Sequence, residues 1–215
     1  MAEATPEVFA AVGIHPNDAL TFEAGTIGEL RKLLASPKVR AVGEIGLDYY
    51  RDRAPKDIQM VVFRQQLALA EEAGLPVIIH NRNASSDLLE VLEDWHAELV
   101  KSNPILAENP GVLHSFSASP EIAQRAMAIN FFIGITGPVT FKNAPELQEL
   151  VSTLPLDCLL IETDAPFLTP HPHRGKRNEP ADVRYTAEKI ASLKNLPFAM
   201  VAETTTQNAG RLFHW

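Results

Sequence analysis

Six short, unbroken apolar runs alternate along the chain with stretches in which apolar residues recur at helical spacing. The runs read as strands: Val8–Val12, Val39–Val42, Pro76–Ile79, Gly111–Leu113, Phe131–Ile135 and Leu159–Ile161. Between them, Thr26-Ile27-Gly28-Glu29 has the form of a capping box opening a helix through about Ala35. Asp57–Ala73 carries a helical pattern that stops at Gly74-Leu75-Pro76, and Asp87–Val100 carries another. Ser119 and Pro120 suit the N-cap and first turn of a helix, and Asn143 with Glu146 begins one that ends before Pro155. Two more are expected over about Pro180–Leu193 and Pro197–Leu212. Strands that are apolar throughout are covered on both faces, so the expected fold is α/β, a parallel sheet flanked by helices. An open doubly wound sheet and a closed (β/α) barrel both satisfy this pattern. A complete barrel takes eight strands and about 250 residues.

With 215 residues, 46% of them apolar, the chain can build one core, and residues 1–215 are read as a single domain. No apolar run is long enough to cross a bilayer. The first residues carry Glu3 and Glu7 where an export signal would be basic. Cys158 has no second cysteine to pair with and reads as a small buried hydrophobe. A cytoplasmic protein is expected. The net charge of −8 argues against a broad electrostatic grip on nucleic acid. It is compatible with an enzyme in which bound metals and a few local arginines hold one phosphate.

The residues that close the runs carry the chemistry. Glu44 follows Val39–Gly43, His80 follows Pro76–Ile79, His114 follows Gly111–Leu113, and Asp164 follows Leu159–Thr163. C-terminal strand ends in a parallel α/β array open on one face, where active sites assemble. One histidine after a strand is more often a hydrogen-bonded structural residue. Two imidazoles and two carboxylates at equivalent positions are the ligand mixture of a hydrolytic Zn²⁺, Mn²⁺ or Mg²⁺ site.

Over nearly its whole length the chain resembles the TatD family of metal-dependent hydrolases, within the amidohydrolase-like superfamily. The matching stretches are AVGIHP (11–16), VGEIGLDYYRD (42–52), FRQQLALAEEAGLPVIIHNRNA (63–84), GVLHSFS (111–117), FFIGITGPVTFKNA (131–144) and LLIETDAPFLTPHPHRGKRNEP (159–180). The resemblance implies a TIM-type barrel with a two-metal site. In it, Glu44 would be shared by both metals, His80 and His114 would complete one sphere, and Asp164 would be a ligand and the proton acceptor from the attacking water. The implied reaction is phosphodiester hydrolysis in DNA, exonucleolytic, on single strands or 3′ ends.

Family members open with a strand ending in His-x-His, which supplies the deeper metal. The one His-x-His here, His171-Pro172-His173, lies in the loop after the last strand, where ligation is not expected. The matched pattern is thus joined late, with about six of eight strands, and residues 1–12 read as the end of a helix running into the family's third strand. A start assigned too late is the favoured explanation, ahead of a shortened form or a partner that supplies the rest. A barrel lacking two neighbouring strands would expose two edges and invite self-association. Its deeper metal would keep Glu44 and Asp164 at most.

Arg82, Arg174, Arg177 and Asn178 are read as substrate contacts, the last three from the loop beside Asp164, with Lys142 a weaker candidate. His15 is expected to line the pocket, with no ligand role assigned to it by the resemblance, and Asp48 and Tyr49 are expected to support the rim. Two other functions compete with the nuclease. One is a metal-dependent hydrolase of a small amide or ester, since one ligand set serves many substrates. The other is a fragment whose catalysis is impaired by the missing motif.

Overall fold

The computed structural model describes residues 2–51 and 53–214. Asp52, the last residue of the VGEIGLDYYRD stretch, lies outside them, as do Met1 and Trp215. Among the described residues there is one six-stranded sheet, with every pair of neighbours parallel. Its strands are β1 (Ala10–Val12), β2 (Val39–Asp48), β3 (Val77–Arg82), β4 (Gly111–Leu113), β5 (Phe132–Ile135) and β6 (Leu159–Ile161). They lie in strictly sequential order, β1 to β6. A doubly wound sheet reverses direction at a switch point, whereas a barrel adds each new strand beside the last. The sequential order removes the doubly wound alternative. β1 and β6 each have a single sheet neighbour among the described residues.

Helices follow the strands: α1 (Thr26–Leu34), α2 (Lys56–Ala73), α3 (Ser85–Ser102), α4 (Pro104–Glu108), α5 (Pro120–Ala128), α6 (Pro145–Thr153), α7 (Val183–Lys194) and α8 (Phe198–Phe213). Helix α2 ends as its sequence requires. Gly74 adopts φ 64°, and the Gly74 and Leu75 amides turn back onto the Ala70 and Glu71 carbonyls. Helix α3 buries Leu88, Leu92, Trp95 and Leu99, one stripe at spacings of three and four. The capping box expected at Thr26–Glu29 does not form. Gly25 holds the N-cap position, and the Thr26 hydroxyl accepts the Glu23 amide instead. Helix α6 begins at Pro145 after Ala144, not at Asn143. The helix end expected before β1 is a single short turn over Ala2–Ala4. Cys158 is half-buried beside Asp157 rather than enclosed.

Period-two alternation sorts the strand residues between two faces. Val77, Ile79, Leu113, Ile133, Ile135 and Leu159 join the helices in the main core. Ile78, Val112, Phe132 and Leu160 form a second cluster on the opposite face, packed by Ala209, Leu212 and Phe213 of α8. The residues one pleat further on that second face are His80, His114, Gly134 and Glu162. The fold therefore lays an apolar floor and sets the chemistry directly above it.

Candidate metal centre

Glu44 reaches this face by a different route. Strand β2 does not end at Glu44 but runs on to Asp48. In its pairing with β3, Gly43 faces Ile78, Ile45 faces Ile79, and Glu44 is skipped. Such a bulge re-aims a side chain that strict alternation would send to the helix side. The two strands pass so closely beyond it that a Cβ on Gly46, at φ 139°, would lie 2.1 Å from the His80 carbonyl oxygen. Only glycine fits there.

Two carboxylate–imidazole units result. In the first, His80 Nδ1 lies 2.9 Å from Glu44 Oε1 and its Nε2 lies 3.1 Å from Asp48 Oδ2. Asp48 is fully buried and also accepts the Tyr50 and Arg51 amides at 3.0 and 2.9 Å. Burial opposes its charge, but these donors and His80 hold its pKa below the usual carboxylate range. Glu44 follows the same logic: burial raises its pKa, while the hydrogen bond to His80 and the nearby His114 bring it below normal. In the second unit, His114 Nδ1 is 3.0 Å from Glu162 Oε2, and its Nε2 is 3.7 Å from Asp164 Oδ1. Burial lowers the His114 pKa, yet Glu162 and Asp164 outweigh it and push the value up to about 11. Glu162 Oε2 also accepts the Ser115 amide at 3.2 Å. Each histidine thus has one nitrogen backed by a more enclosed carboxylate and the other turned toward a more open one.

Both units open on one cleft of about 670 Å³, bordered by His15, Asn17, Glu44, Asp48, His80, His114 and Asp164, with Glu162 set behind its wall. Ligand atoms of His15, Glu44 and His80 lie within 4.8 Å of one another. A mixed nitrogen–oxygen set with carboxylates behind its imidazoles suits a borderline or hard divalent cation.

The family model for TatD-related DNases matches residues 1–214. The chain belongs to the TatD family. It is 49% identical to the metal-dependent hydrolase YabD of Bacillus subtilis over 213 residues, covering 99% of this chain and 80% of YabD. It is 35% identical over 211 residues to the 3′-5′ ssDNA/RNA exonuclease TatD of Erwinia tasmaniensis, covering 96% of this chain and 78% of the relative. The crystal structure of the Escherichia coli TatD homologue YjjV superposes with a TM-score of 0.90 at 30% identity, covering all of this chain and 80% of that one. Membership in the TatD family makes the chain a metal-dependent hydrolase with the α/β architecture of the TatD barrels. No described helix is long and apolar enough to cross a membrane.

In this TatD-family chain the four residues expected at the strand ends do share the cleft. The expected substrate contacts divide. Arg82 lines the cleft, its guanidinium stacked 3.9 Å from the centre of the Tyr50 ring. Arg174 lies over the Phe141 ring and donates to Asn143 Oδ1, while Arg177 is exposed near Glu179. Neither borders the cleft, nor does Lys142. Asn178 does not border the cleft either. It is buried, and its amide donates to the Phe167 carbonyl at 2.6 Å, so it fastens the loop instead of facing substrate. Arg51 and Arg53 line the cleft and were not foreseen. Their signal was available, because they follow the same strand that delivers Glu44. His173 contacts Tyr185 and His171 contacts Phe141, so the loop His-x-His stays out of the cleft.

Proposed function

We propose that this chain hydrolyses phosphodiester bonds in DNA, removing nucleotides from an end, with two divalent cations of the Zn²⁺, Mn²⁺ or Mg²⁺ kind. The observation that carries the reading is the company the ligand cluster keeps. On a chain of net charge −8, Arg51, Arg53 and Arg82 all border the cleft that holds Glu44, His80, His114 and Asp164. A neutral amide or lactone has no use for three guanidinium groups beside its hydrolytic centre, whereas the phosphates of a strand do. The name of the Erwinia relative supports the same choice.

Glu44, His80, His114 and Asp164 would hold the cations. Bound there, a metal pair supplies Lewis acidity that lowers the pKa of water and offsets charge on the attacked phosphorus and the departing oxygen. Glu44, between the two units, would be the shared carboxylate. Asp48 and Glu162 fix the ring orientations of His80 and His114. Asp164, about a third exposed at the cleft, accepts the proton from the attacking water. Arg51, Arg53 and Arg82 grip the flanking phosphates.

The test is degradation of an end-labelled single-stranded oligonucleotide by purified protein, with and without chelator, beside a small phosphomonoester and a cyclic amide. The proposal expects metal-dependent shortening of the DNA. Turnover of the amide alone would transfer the chain to the competing hydrolase class.

A further inference from the structure

His15 sits among the metal-ligand candidates, its ring centre 4.4 Å from that of His80 and its ligand atom within reach of Glu44. Its own hydrogen bond assigns it a different task. His15 is the N-cap of the short turn Pro16–Thr21, and its Nδ1 accepts the Asn17 amide at 3.1 Å. A nitrogen that accepts a backbone N–H has its lone pair engaged and carries no proton. In neutral imidazole the other nitrogen is then N–H, a donor with no lone pair to give a metal. Among the described residues no acceptor is bonded to His15 Nε2, and the residue borders the cleft. The contrast with His80 and His114 is direct, since each of those has one ring nitrogen against a backing carboxylate and the other toward an open one.

We infer that His15 is a substrate-facing hydrogen-bond donor and not a metal ligand: Nε2–H binds a non-bridging oxygen of the phosphate under attack. The cap enforces this. The Asn17 amide belongs to the backbone and cannot become an acceptor, so it selects one tautomer of His15 for as long as the turn is folded. Pro16 gives the turn its fixed φ, and Asn17 itself ties to Asp48 Oδ2 at 3.3 Å, linking the turn to the carboxylate behind His80. The donor is thus pre-positioned beside the metal cluster. It strengthens as negative charge builds on the phosphoryl oxygens and transfers no proton.

The inference rests on the phosphodiester reading. His15→Asn tests it, because asparagine is a good N-cap and keeps an acceptor for the Asn17 amide while removing the reaching N–H. His15→Gln serves as a longer-reaching second variant. Three quantities are read: bound Mn²⁺ per chain, circular dichroism, and kcat and KM on a single-stranded oligonucleotide. The inference expects unchanged metal stoichiometry and spectrum, kcat lower by about 10²-fold, a KM that moves little, and partial recovery in His15→Gln. Loss of one bound metal in a folded His15→Asn protein overturns it in favour of ligation, and an unchanged kcat overturns it as well. A wild-type protein that binds Mn²⁺ but leaves DNA intact defeats the nuclease reading instead, a result distinguishable from both.

Discussion

Gly134 touches no substrate, yet replacing it with alanine should damage the site. It lies in β5, and a Cβ there would sit 2.1 Å from Glu162 Oε2 and 2.7 Å from Oε1. To recover an ordinary contact of 3.4 Å the carboxylate must retreat by about 1.3 Å. Its bond to His114 Nδ1 is 3.0 Å long and cannot survive that movement. The Ser115 amide, bonded to the same oxygen, loses its acceptor too. Removing the carboxylate behind a ligating histidine typically costs 10–100-fold in metal affinity, or about 1.4–2.7 kcal/mol. Gly134→Ala should therefore weaken Mn²⁺ binding by about that factor in calorimetric titration and lower oligonucleotide hydrolysis at limiting metal. A double-mutant cycle isolates the cause. In a Glu162→Ala background the collision disappears, and Gly134→Ala should add almost no further loss. A folded Gly134→Ala protein with wild-type Mn²⁺ affinity, or losses that simply add in the double variant, would refute the reasoning.

The other predictions concern the cleft and the core. Asp164→Asn should abolish hydrolysis with the melting temperature nearly unchanged, since the Asp164 side chain is about a third exposed and comes no closer than 3.7 Å to His114; retained turnover would remove its role as proton acceptor. His80→Ala should lower bound metal per chain, measured by elemental analysis after gel filtration. Arg82→Ala, Arg51→Ala and Arg53→Ala should each weaken binding to single-stranded DNA and shallow its salt dependence by about one unit of slope or less. Arg177→Ala should leave both within error. Leu92→Ala, in the fully buried stripe of α3, should cost about 2–5 kcal/mol in urea unfolding.

The sequence made the architecture legible because strand and helix periods differ, and because β3 to β6 are apolar on both faces. It also pointed to four residues that share one cleft, since a parallel sheet places its C-terminal strand ends together. What it hid has physical causes. In sequence Glu44 reads as the end of its strand, because a bulge leaves no mark beyond nearby glycines, and Gly43 and Gly46 read equally well as a turn. Glu162 looked like one more residue of the strand, and its role emerges only once period two places it beside His114. Arg174 and Asn178 belong to the loop that follows Asp164 in sequence, but the loop folds them away, Asn178 into its own interior and Arg174 onto Phe141. Arg51 and Arg53 are isolated arginines after a strand and draw less notice than the denser basic run at 174–177, although a charge run is more often a solvated surface than a site.

The central claim is that Glu44, His80, His114 and Asp164 surround common cations at the mouth of the sheet. Anomalous diffraction from crystals equilibrated with Mn²⁺ tests this directly. The account predicts density within about 2.0–2.3 Å of a Glu44 oxygen and of the cleft-facing nitrogens of His80 and His114, with the His15 ring at hydrogen-bonding rather than coordination distance. Strong density elsewhere in the molecule with none between these side chains would contradict it.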